Sequence, residues 1–584
     1  MNKRPSKKFT ADFETSTPTW YEKDGVARVW AWAICEIGNP DNFIYGNNID
    51  EFMRFCSSRS NYVMLFHNLK FDGQYIIDWL FRNGFTHVKN NNDIKDKTFT
   101  TLINDMGQFY NIIVYFSVKG HKTNKVTFED SLKLLNFSVD KIAKDFDLPI
   151  RKLELDYDTY REVGHTLTDH EVEYIKNDVT VMAMALKILY DEGLDRLTIG
   201  SCALNNFKDN TKDFRTLFPI LPTEVHNAIK NSYKGGFTYL NEAHKEEIIE
   251  DIMVLDVNSL YPSVQRNERL PYGVPIEYKG KYVKDILYPL YIQIISCSFD
   301  LREGKIPTIQ LKNNLSFIPN EYLKSSDGKI VTLTLTSVDL ELFLKHYRVH
   351  DLTYHYGFKF KSLKGIFSNY IDFWTNEKIN AKKLGNKSKY LIAKLMMNSL
   401  YGKFGTSNYI RSKYPYFEDD MVHYEMGELE ERDPVYLPIA SFITSYARKK
   451  TISTSQAIKD YTKEKYNKDY YIYSDTDSIH MKRLPDDELK NFVDVDDYRL
   501  GAWKIESYAK RGKFIRQKCY IEEDEEGIHA TIAGLPKQLG KYITFDNFKE
   551  GFSIKADDLE KEHKLGYKKV KGGVLLVNTD FTIK

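Results

Sequence analysis

The alternation of apolar and polar positions in the first third of the chain predicts an α/β unit. Segments 9–14 and 29–37 read as strands, 50–56 as a short helix, and 63–66 as a buried strand leading through a loop to a helix over 73–83. Segments 112–118 and 125–128 alternate as a hairpin does, and 168–190 carries the spacing of a long helix. That helix opens on Thr168-x-x-Glu171, in which hydroxyl and carboxylate each satisfy a free backbone amide of the first turn. Residues 268–365 are rich in strand formers broken by Pro and Gly, which predicts a separate β-rich layer. No repeat and no long Pro/Gly/Ser linker divides these segments, so the units are expected to interleave.

A chain of 584 residues exceeds what one hydrophobic core organises, so several domains are expected. Lys and Arg number 83 against 82 Asp and Glu, which excludes a uniformly basic coat protein and leaves local clustering as the route to an anion site. Residues 359–403 hold ten Lys and no Arg against Asp372 and Glu377; residues 504–518 hold six basic residues against Glu506. Either cluster alone reads as a solvated face, but two of them beside carboxylate motifs suit a polyanion. No apolar run approaches the roughly 20 residues of a membrane span, and the N-terminal segment lacks the signal-peptide pattern. The five scattered cysteines contain no C-x-x-C, which argues against a disulfide framework or zinc site and for a reducing, cytosolic compartment.

Candidate chemistry lies in the acids. Asp12 and Glu14 sit two apart on a strand and so share a face, where a cation would relieve their repulsion. Asp72 falls at a strand-to-helix turn, and Tyr174 and Asp178 lie four apart on the long helix. Four acids around two Mg²⁺ or Mn²⁺ ions would activate water against a phosphodiester. A second set follows. Asp256 ends an apolar strand, and Asp475 and Asp477 occupy a turn between two strands, which can bring Asp477 beside Asp256 with Asp475 close by. Between them Lys394, Asn398 and Tyr401 form one helical stripe, suited to a triphosphate with its base alongside. Singly, D-x-E reads as a surface feature, D-x-D as a hairpin turn, and the stripe as a solvated face.

Together the motifs resemble the family B DNA polymerases: D-x-x-S-L-Y-P from Asp256, K-x-x-x-N-S-x-Y-G from Lys394, Y-x-D-T-D-S from Tyr473, and K-x-Y at Lys518 to Tyr520. The N-terminal acids resemble that family's proofreading exonuclease, with D-x-E, N-x-x-F-D and Y-x-x-x-D. Longer segments, among them Tyr233-Lys234-Gly235-Gly236, Thr444-Ser445-Tyr446-Ala447-Arg448, Glu321 to Ser326 and Phe581 to Lys584, are similar to the protein-primed, phi29-type branch.

The resemblance implies an α/β multidomain fold: an RNase H-like 3′–5′ exonuclease over 1–197 and a right-hand polymerase of palm, fingers and thumb. The palm would span 198–267 and 438–532, the fingers 366–404 and the thumb 533–584, with terminal-protein-region insertions at 268–365 and 405–437. In the exonuclease, Asp12, Glu14, Asp72 and Asp178 would hold metal, Tyr174 the water, and Lys152 would assist; Glu154 stands where the family has Asp. His67, Asn68, Phe71, Ser131 and Leu132 would hold single-stranded DNA. In the polymerase site Asp256, the Val257 carbonyl and Asp477 would hold two ions, with Asp475 near. Ser259, Leu260, Tyr261, Lys378, Lys394 and Tyr401 would bind the dNTP, Tyr261 lying beneath the sugar. Tyr233, Gly235, Gly236, Asn398, Gly402, Thr444, Arg448, Lys518 and Tyr520 would contact primer-template DNA, and Asp339 a terminal protein. Tyr390 replaces a further phosphate-binding lysine, with Lys387 and Lys389 beside it.

The implied function is processive, strand-displacing, proofreading replication of a linear phage genome from a terminal protein, in the cytoplasm of an infected bacterium, by an otherwise monomeric enzyme. Two other readings stay open: a metal-dependent exonuclease with a degenerate palm, and a non-catalytic DNA-binding protein. A reverse transcriptase is disfavoured because the turn holds no adjacent Asp-Asp pair.

Overall fold

The computed structural model describes residues 6–120, 122–310, 322–558 and 566–583. Glu321 and Lys584, which belong to two of the quoted segments, lie outside them.

An eight-stranded sheet forms the first unit, ordered Asn39–Gly46, Val29–Glu36, Lys8–Thr15, Tyr62–Phe66, Lys122–Asp130, Phe109–Lys119, Thr98–Ile103 and Thr86–His87. Lys8–Thr15 pairs antiparallel with Val29–Glu36 and parallel with Tyr62–Phe66. Its alternation sorts the faces. Phe9, Ala11 and Phe13 enter an apolar core with Phe52 and Phe66, while the Thr10 hydroxyl on the other face donates to the Val179 carbonyl at 2.7 Å. The helix Asp169–Asp191 covers that second face, and its capping box at Thr168 and Glu171 is formed in both directions.

One helix departs from its pattern. Leu69–Arg82 begins four residues before the predicted start at 73, so Asp72 lies in its first turn rather than in the preceding loop. Asn68, at φ 86°, turns the chain while its amide donates to Asp130 Oδ1 at 3.1 Å, a contact invisible to local periodicity.

The second unit is built on a seven-stranded sheet whose central strand, Ile248–Val257, is flanked by Ser478–Lys482 and Trp503–Arg516, both antiparallel. The 30-residue helix Leu437–Tyr466 backs it: Thr451 Oγ1 donates to the Thr476 carbonyl at 2.7 Å, and Ser455 meets Ser474 at 3.1 Å. The expected β-rich layer is a four-stranded sheet, Arg269–Lys279, Tyr347–Lys364, Leu290–Leu301 and Val331–Thr336, with the helix Ser337–His346 against it.

Helices Ser368–Lys383 and Lys387–Ser399 fold back on each other, Tyr370 Oη donating to the Met396 carbonyl at 2.8 Å. The second helix stops at Ser399, and Tyr401 opens a separate turn, Tyr401–Phe404, so the predicted single stripe through Tyr401 is broken. Leu400, between the two, keeps helical dihedrals (φ −70°, ψ −50°) and is fully buried in the shared core.

Two hairpins from distant sequence close on the first unit. Tyr409–Glu418 with Met421–Glu431 docks through Phe417 on Phe81 and through Tyr424 Oη, which donates to Gln74 Oε1 at 2.8 Å. The C-terminal hairpin, Gly566–Val570 with Gly573–Val577, is held where Tyr75 Oη donates to the Val574 carbonyl at 2.5 Å. Asp420, at the tip of the first hairpin, pairs with both Arg82 and Lys571. Among the described residues no helix is long and apolar enough to cross a membrane.

Candidate active sites

Asp12 and Glu14, from the strand Lys8–Thr15, meet Asp178, from the helix that covers it. One carboxylate oxygen from each lies within 4.8 Å of the others. Burial pushes the Asp12 carboxyl up to about 7, with Asp178 adding to it; burial, then Asp12 and Asp178, drive Glu14 well above the usual range. Asp72 is not among the three that converge but is electrostatically tied to them, raised by burial and then by Asp12. Asp178 Oδ1 and Asp72 Oδ1 are buried and have no hydrogen-bond partner among the described residues. Crowded, buried hard-oxygen donors of this kind fit a divalent cation such as Mg²⁺. Lys152 Nζ lies 2.7 Å from Asp178 Oδ2, supplying part of the missing positive charge. Burial disfavours its ammonium, yet Asp178 holds its pKa above the ordinary value.

Tyr174 is 1 % exposed, and its hydroxyl lies 2.6 Å from that of Tyr157. Tyr157 belongs to a stretch without regular structure, lines the same cleft of about 760 Å³, and carries no sequence pattern that would have singled it out. Glu154 lines that cleft too.

A neighbouring groove gathers His67, Asn68, Leu132 and, from the C-terminal hairpin, Tyr567. Asn68 Nδ2 reaches Tyr567 Oη at 3.3 Å, and the Phe71 and Tyr567 rings lie 6.1 Å apart. Two of the expected residues make internal contacts. Ser131 is fully buried and donates to the Phe66 carbonyl at 3.1 Å. His67 spends both ring nitrogens internally, on Ser131 Oγ at 3.1 Å and the Phe137 carbonyl at 2.7 Å. His67 lines the groove with Ser131 behind it; Tyr567, partly exposed and far off in sequence, is the aromatic surface that local reading missed.

In the second unit Asp256 closes the central strand opposite Ser478, and the Val257 amide donates to the Asp477 carbonyl at 2.8 Å. The turn at Thr476 has φ 61°, and Gly236 gives it room: a Cβ there would meet Thr476 Oγ1 at 2.5 Å. Asp256 is pushed up to about 6 by burial, then by Glu506 and Asp477; Asp477 is raised by burial and by Asp475 and Glu506. Asp475 is occupied otherwise, with Lys518 Nζ at 2.7 Å from Oδ2 and 2.8 Å from Oδ1. Tyr473 Oη accepts from the Lys518 amide at 2.9 Å, and the Tyr520 ring stacks on Phe514 at 5.1 Å.

Above these acids the Tyr261 and Tyr401 rings stack at 4.1 Å. Lys394, Asn398 and Gly402 are exposed on the neighbouring helices. Burial, then Lys394 and Lys504, pull the Lys378 pKa below its ordinary value, as expected where cations gather. The Lys378 ammonium lies 5.9 Å from the Tyr390 ring, whereas Lys387 pairs with Asp147 and Lys389 with Glu192 and Glu377. Ser259 sits at the strand-to-helix turn with φ 54°, but Leu260 is 2 % exposed and packs into the core, which removes its side chain from any nucleotide.

Three further expected contact residues are engaged inside the protein. Arg448 is 2 % exposed, and its guanidinium is bound by Asp339, with Nη2 2.6 Å from Oδ2, and by the carbonyls of Lys234 and Gly235 at 2.7 and 2.8 Å. Asp339 therefore does not face outward; it also accepts from Ser445 Oγ at 2.7 Å, and Arg448 keeps it ionised against the cost of burial. The Thr444 hydroxyl is buried and bonds its own helix at the Ala440 carbonyl, 3.0 Å away. Through Arg448, the pair with Asp339 braces the loop carrying Tyr233, Gly235 and Gly236. Lys504 and Glu506, which flank Asp256, were visible in sequence only as part of a basic cluster.

The family described as DNA polymerase type B, organellar and viral, matches residues 54–494. The DNA polymerases of Bacillus phage M2 and Bacillus phage phi29 are 44% and 42% identical to this chain, covering 99% and 100% of it and 100% of each relative. That of Streptococcus phage Cp-1 is 32% identical over 99% of the chain and 98% of the relative. The chain belongs to the family B DNA polymerases of organellar and viral type. Within that family it is a replicative polymerase of the phi29 type. The solved structure of phi29 DNA polymerase with primer-template DNA and incoming nucleotide substrates superimposes with a TM-score of 0.89 at 42% identity, over 99% of this chain and 100% of that one. The complex of the same enzyme with single-stranded DNA gives 0.88 at 41% identity, over the same shares.

Proposed function

We propose that this polymerase starts a linear phage genome on the hydroxyl of a terminal protein, displaces the strand ahead, and proofreads with its first unit. The observation that carries the reading is the hairpin that sets Asp477 beside Asp256, below a lysine-bearing helix pair and the Tyr261–Tyr401 stack. In this reading 1–197 is the exonuclease, 198–267 with 438–532 the palm, 366–404 the fingers and 533–584 the thumb; 268–365 and 405–437 are the two insertions.

Asp256 and Asp477, with the Val257 carbonyl, hold the divalent ions of synthesis. Such ions lower the pKa of an attacking hydroxyl and neutralise the leaving pyrophosphate. Lys378 and Lys394 bind the triphosphate, and Tyr401 packs on the nascent base pair. Tyr261 fills the space a ribose 2′-hydroxyl would need. Lys518, steered by Asp475, and Tyr520 position the primer strand. Such contacts carry place rather than sequence, as copying any template requires.

In the first unit Asp12, Glu14, Asp72 and Asp178 hold the ions of hydrolysis. Burial and the neighbouring Glu14 keep the Tyr174 hydroxyl protonated, so it can donate to the attacking water with Tyr157 behind it. Phe71, Leu132 and Tyr567 offer a sequence-tolerant apolar wall to a frayed strand.

The two hairpins that meet at Asp420 support a closed passage for one template strand, and with it strand displacement and slow dissociation. The outer surface of the layer 268–365 is assigned to the terminal protein, without the carboxylate of Asp339. Extension of a primed single-stranded circle with Mg²⁺ and all four dNTPs tests the reading: products many circle lengths long are expected, and a stop after one round would remove displacement from it.

A further inference from the structure

Antiparallel pairing places Lys504 directly opposite Asp256, on the strand Trp503–Arg516 beside the central strand. Opposed residues on neighbouring strands project to the same face, and Glu506, the extra residue where the register shifts, turns its carboxylate toward Lys504. The side chains meet accordingly. Lys504 Nζ lies 3.4 Å from Asp256 Oδ1 and 3.6 Å from Glu506 Oε1. The ammonium thus stands against one oxygen of the carboxylate assigned above to a divalent ion. The pair is neither sealed nor fully solvated: the side chains of Lys504 and Asp256 are 32% and 22% exposed, and that of Glu506 is 47% exposed. A long, half-exposed side chain in that position can leave without opening the sheet.

We propose that Lys504 is a positioning residue, a built-in counter-ion that holds Asp256 until a divalent ion takes its place and then withdraws along Glu506. A monovalent cation and a divalent one compete for the same oxygen, so Lys504 raises the metal concentration the polymerase site requires. It also keeps three acids, Asp256, Asp477 and Glu506, from facing one another without a cation between catalytic cycles. The first site has a comparable pair, in which Lys152 Nζ stands 2.7 Å from Asp178 Oδ2.

The proposal rests on the reading that Asp256 holds metal, and the test separates the two. The full chain carrying Asp12→Ala and Asp178→Ala, which silences the first site, is titrated with Mn²⁺ and free ion is followed by electron paramagnetic resonance. Adding Lys504→Met is expected to tighten Mn²⁺ binding about two- to fivefold, the range set by a half-exposed ion pair. Lys504→Arg keeps the charge and is expected to restore the parent affinity. In the otherwise unchanged enzyme, Lys504→Met lowers the Mg²⁺ concentration for half-maximal incorporation by the same factor and leaves that for single-strand degradation where it was, which also reports that the protein is folded. Lys504→Gln repeats the measurement with a polar neutral side chain. Unchanged or weaker Mn²⁺ binding in both neutral variants overturns the proposal. If Asp256→Asn itself leaves Mn²⁺ binding intact, the metal-site reading fails instead.

Discussion

The two carboxylate sites use the same residue types but manage their charge differently. In the first, Asp12, Glu14 and Asp178 come from one strand and one covering helix, and Glu14 and Asp178 are 7 % and 4 % exposed. Burial dominates there: it lifts every acid, and a single lysine answers. In the second, Asp256 and Asp477 lie at the half-open end of a sheet, and Lys504 and Lys518 each engage a carboxylate. In the reading proposed above, both sites must leave their acids poised for metal rather than neutralised. The closed site sets one lysine against several buried acids, while the open one holds two on half-exposed side chains. The difference suits a cleft that admits one frayed end and a surface across which a duplex must slide.

The sharpest way to break this comparison is to remove one site at a time. Asp477→Asn is expected to reduce nucleotide incorporation by about a thousandfold or more while single-strand degradation continues, read by primer extension beside a digestion assay. Asp12→Ala with Asp72→Ala should do the reverse by a similar factor, and equal loss of both activities would mean the sites are not separate.

Removing the support behind the second site comes next. Asp339→Ala leaves the Arg448 guanidinium buried without its carboxylate, which costs about 3–5 kcal/mol locally. Hydrogen exchange should accelerate over 234–237 and 471–482, with incorporation falling more than degradation. Were degradation to fall equally, the brace would not be specific to the polymerase site.

Support for the first site is tested by acid. Burial opposes ionisation of Glu171, but the Arg161 guanidinium, the Thr168 amide and His165 hold its carboxyl down to about 2. A depressed carboxyl stabilises fully above its unfolded value near 4.5, and that contribution drains away as pH falls through about 2. The Glu171 contribution to the folded first unit should therefore shrink by about 2 kcal/mol between pH 5 and pH 2, the figure discounted for solvent at the helix end, while the raised carboxyls of Asp12, Glu14 and Asp72 shift stability the other way. Glu171→Gln should flatten that slope, and a slope unchanged in the variant would place the acid sensitivity elsewhere. The smallest effect is on selectivity: Tyr261→Val should raise ribonucleotide insertion about tenfold without touching degradation, measured by the ratio of rNTP to dNTP incorporation.

Local pattern served the first unit well where neighbours in sequence do the positioning. The Thr168–Glu171 box, the D-x-E strand and the Tyr174–Asp178 helix face all follow from spacing of a few residues. It failed where a distant contact decides. The helix at Leu69 starts early because Asp130 anchors Asn68, and Tyr567 joins a groove 499 residues from its partner Asn68. Arg448 and Asp339 read from motifs as two surfaces, one for DNA and one for a protein, yet 109 residues apart they neutralise each other. A motif marks that a side chain matters and is silent on which way it faces.

Sequence alone determined the family and the order of motifs, and it singled out the candidate acids, because those depend on residue type and on short spacings that backbone geometry converts directly into shared faces. Only the folded chain decided which charges are paired, which hydroxyls are spent inside, and that Lys504 stands against Asp256. Those outcomes depend on strand register and helix packing between remote segments, where a shift of one residue turns a side chain from solvent to site.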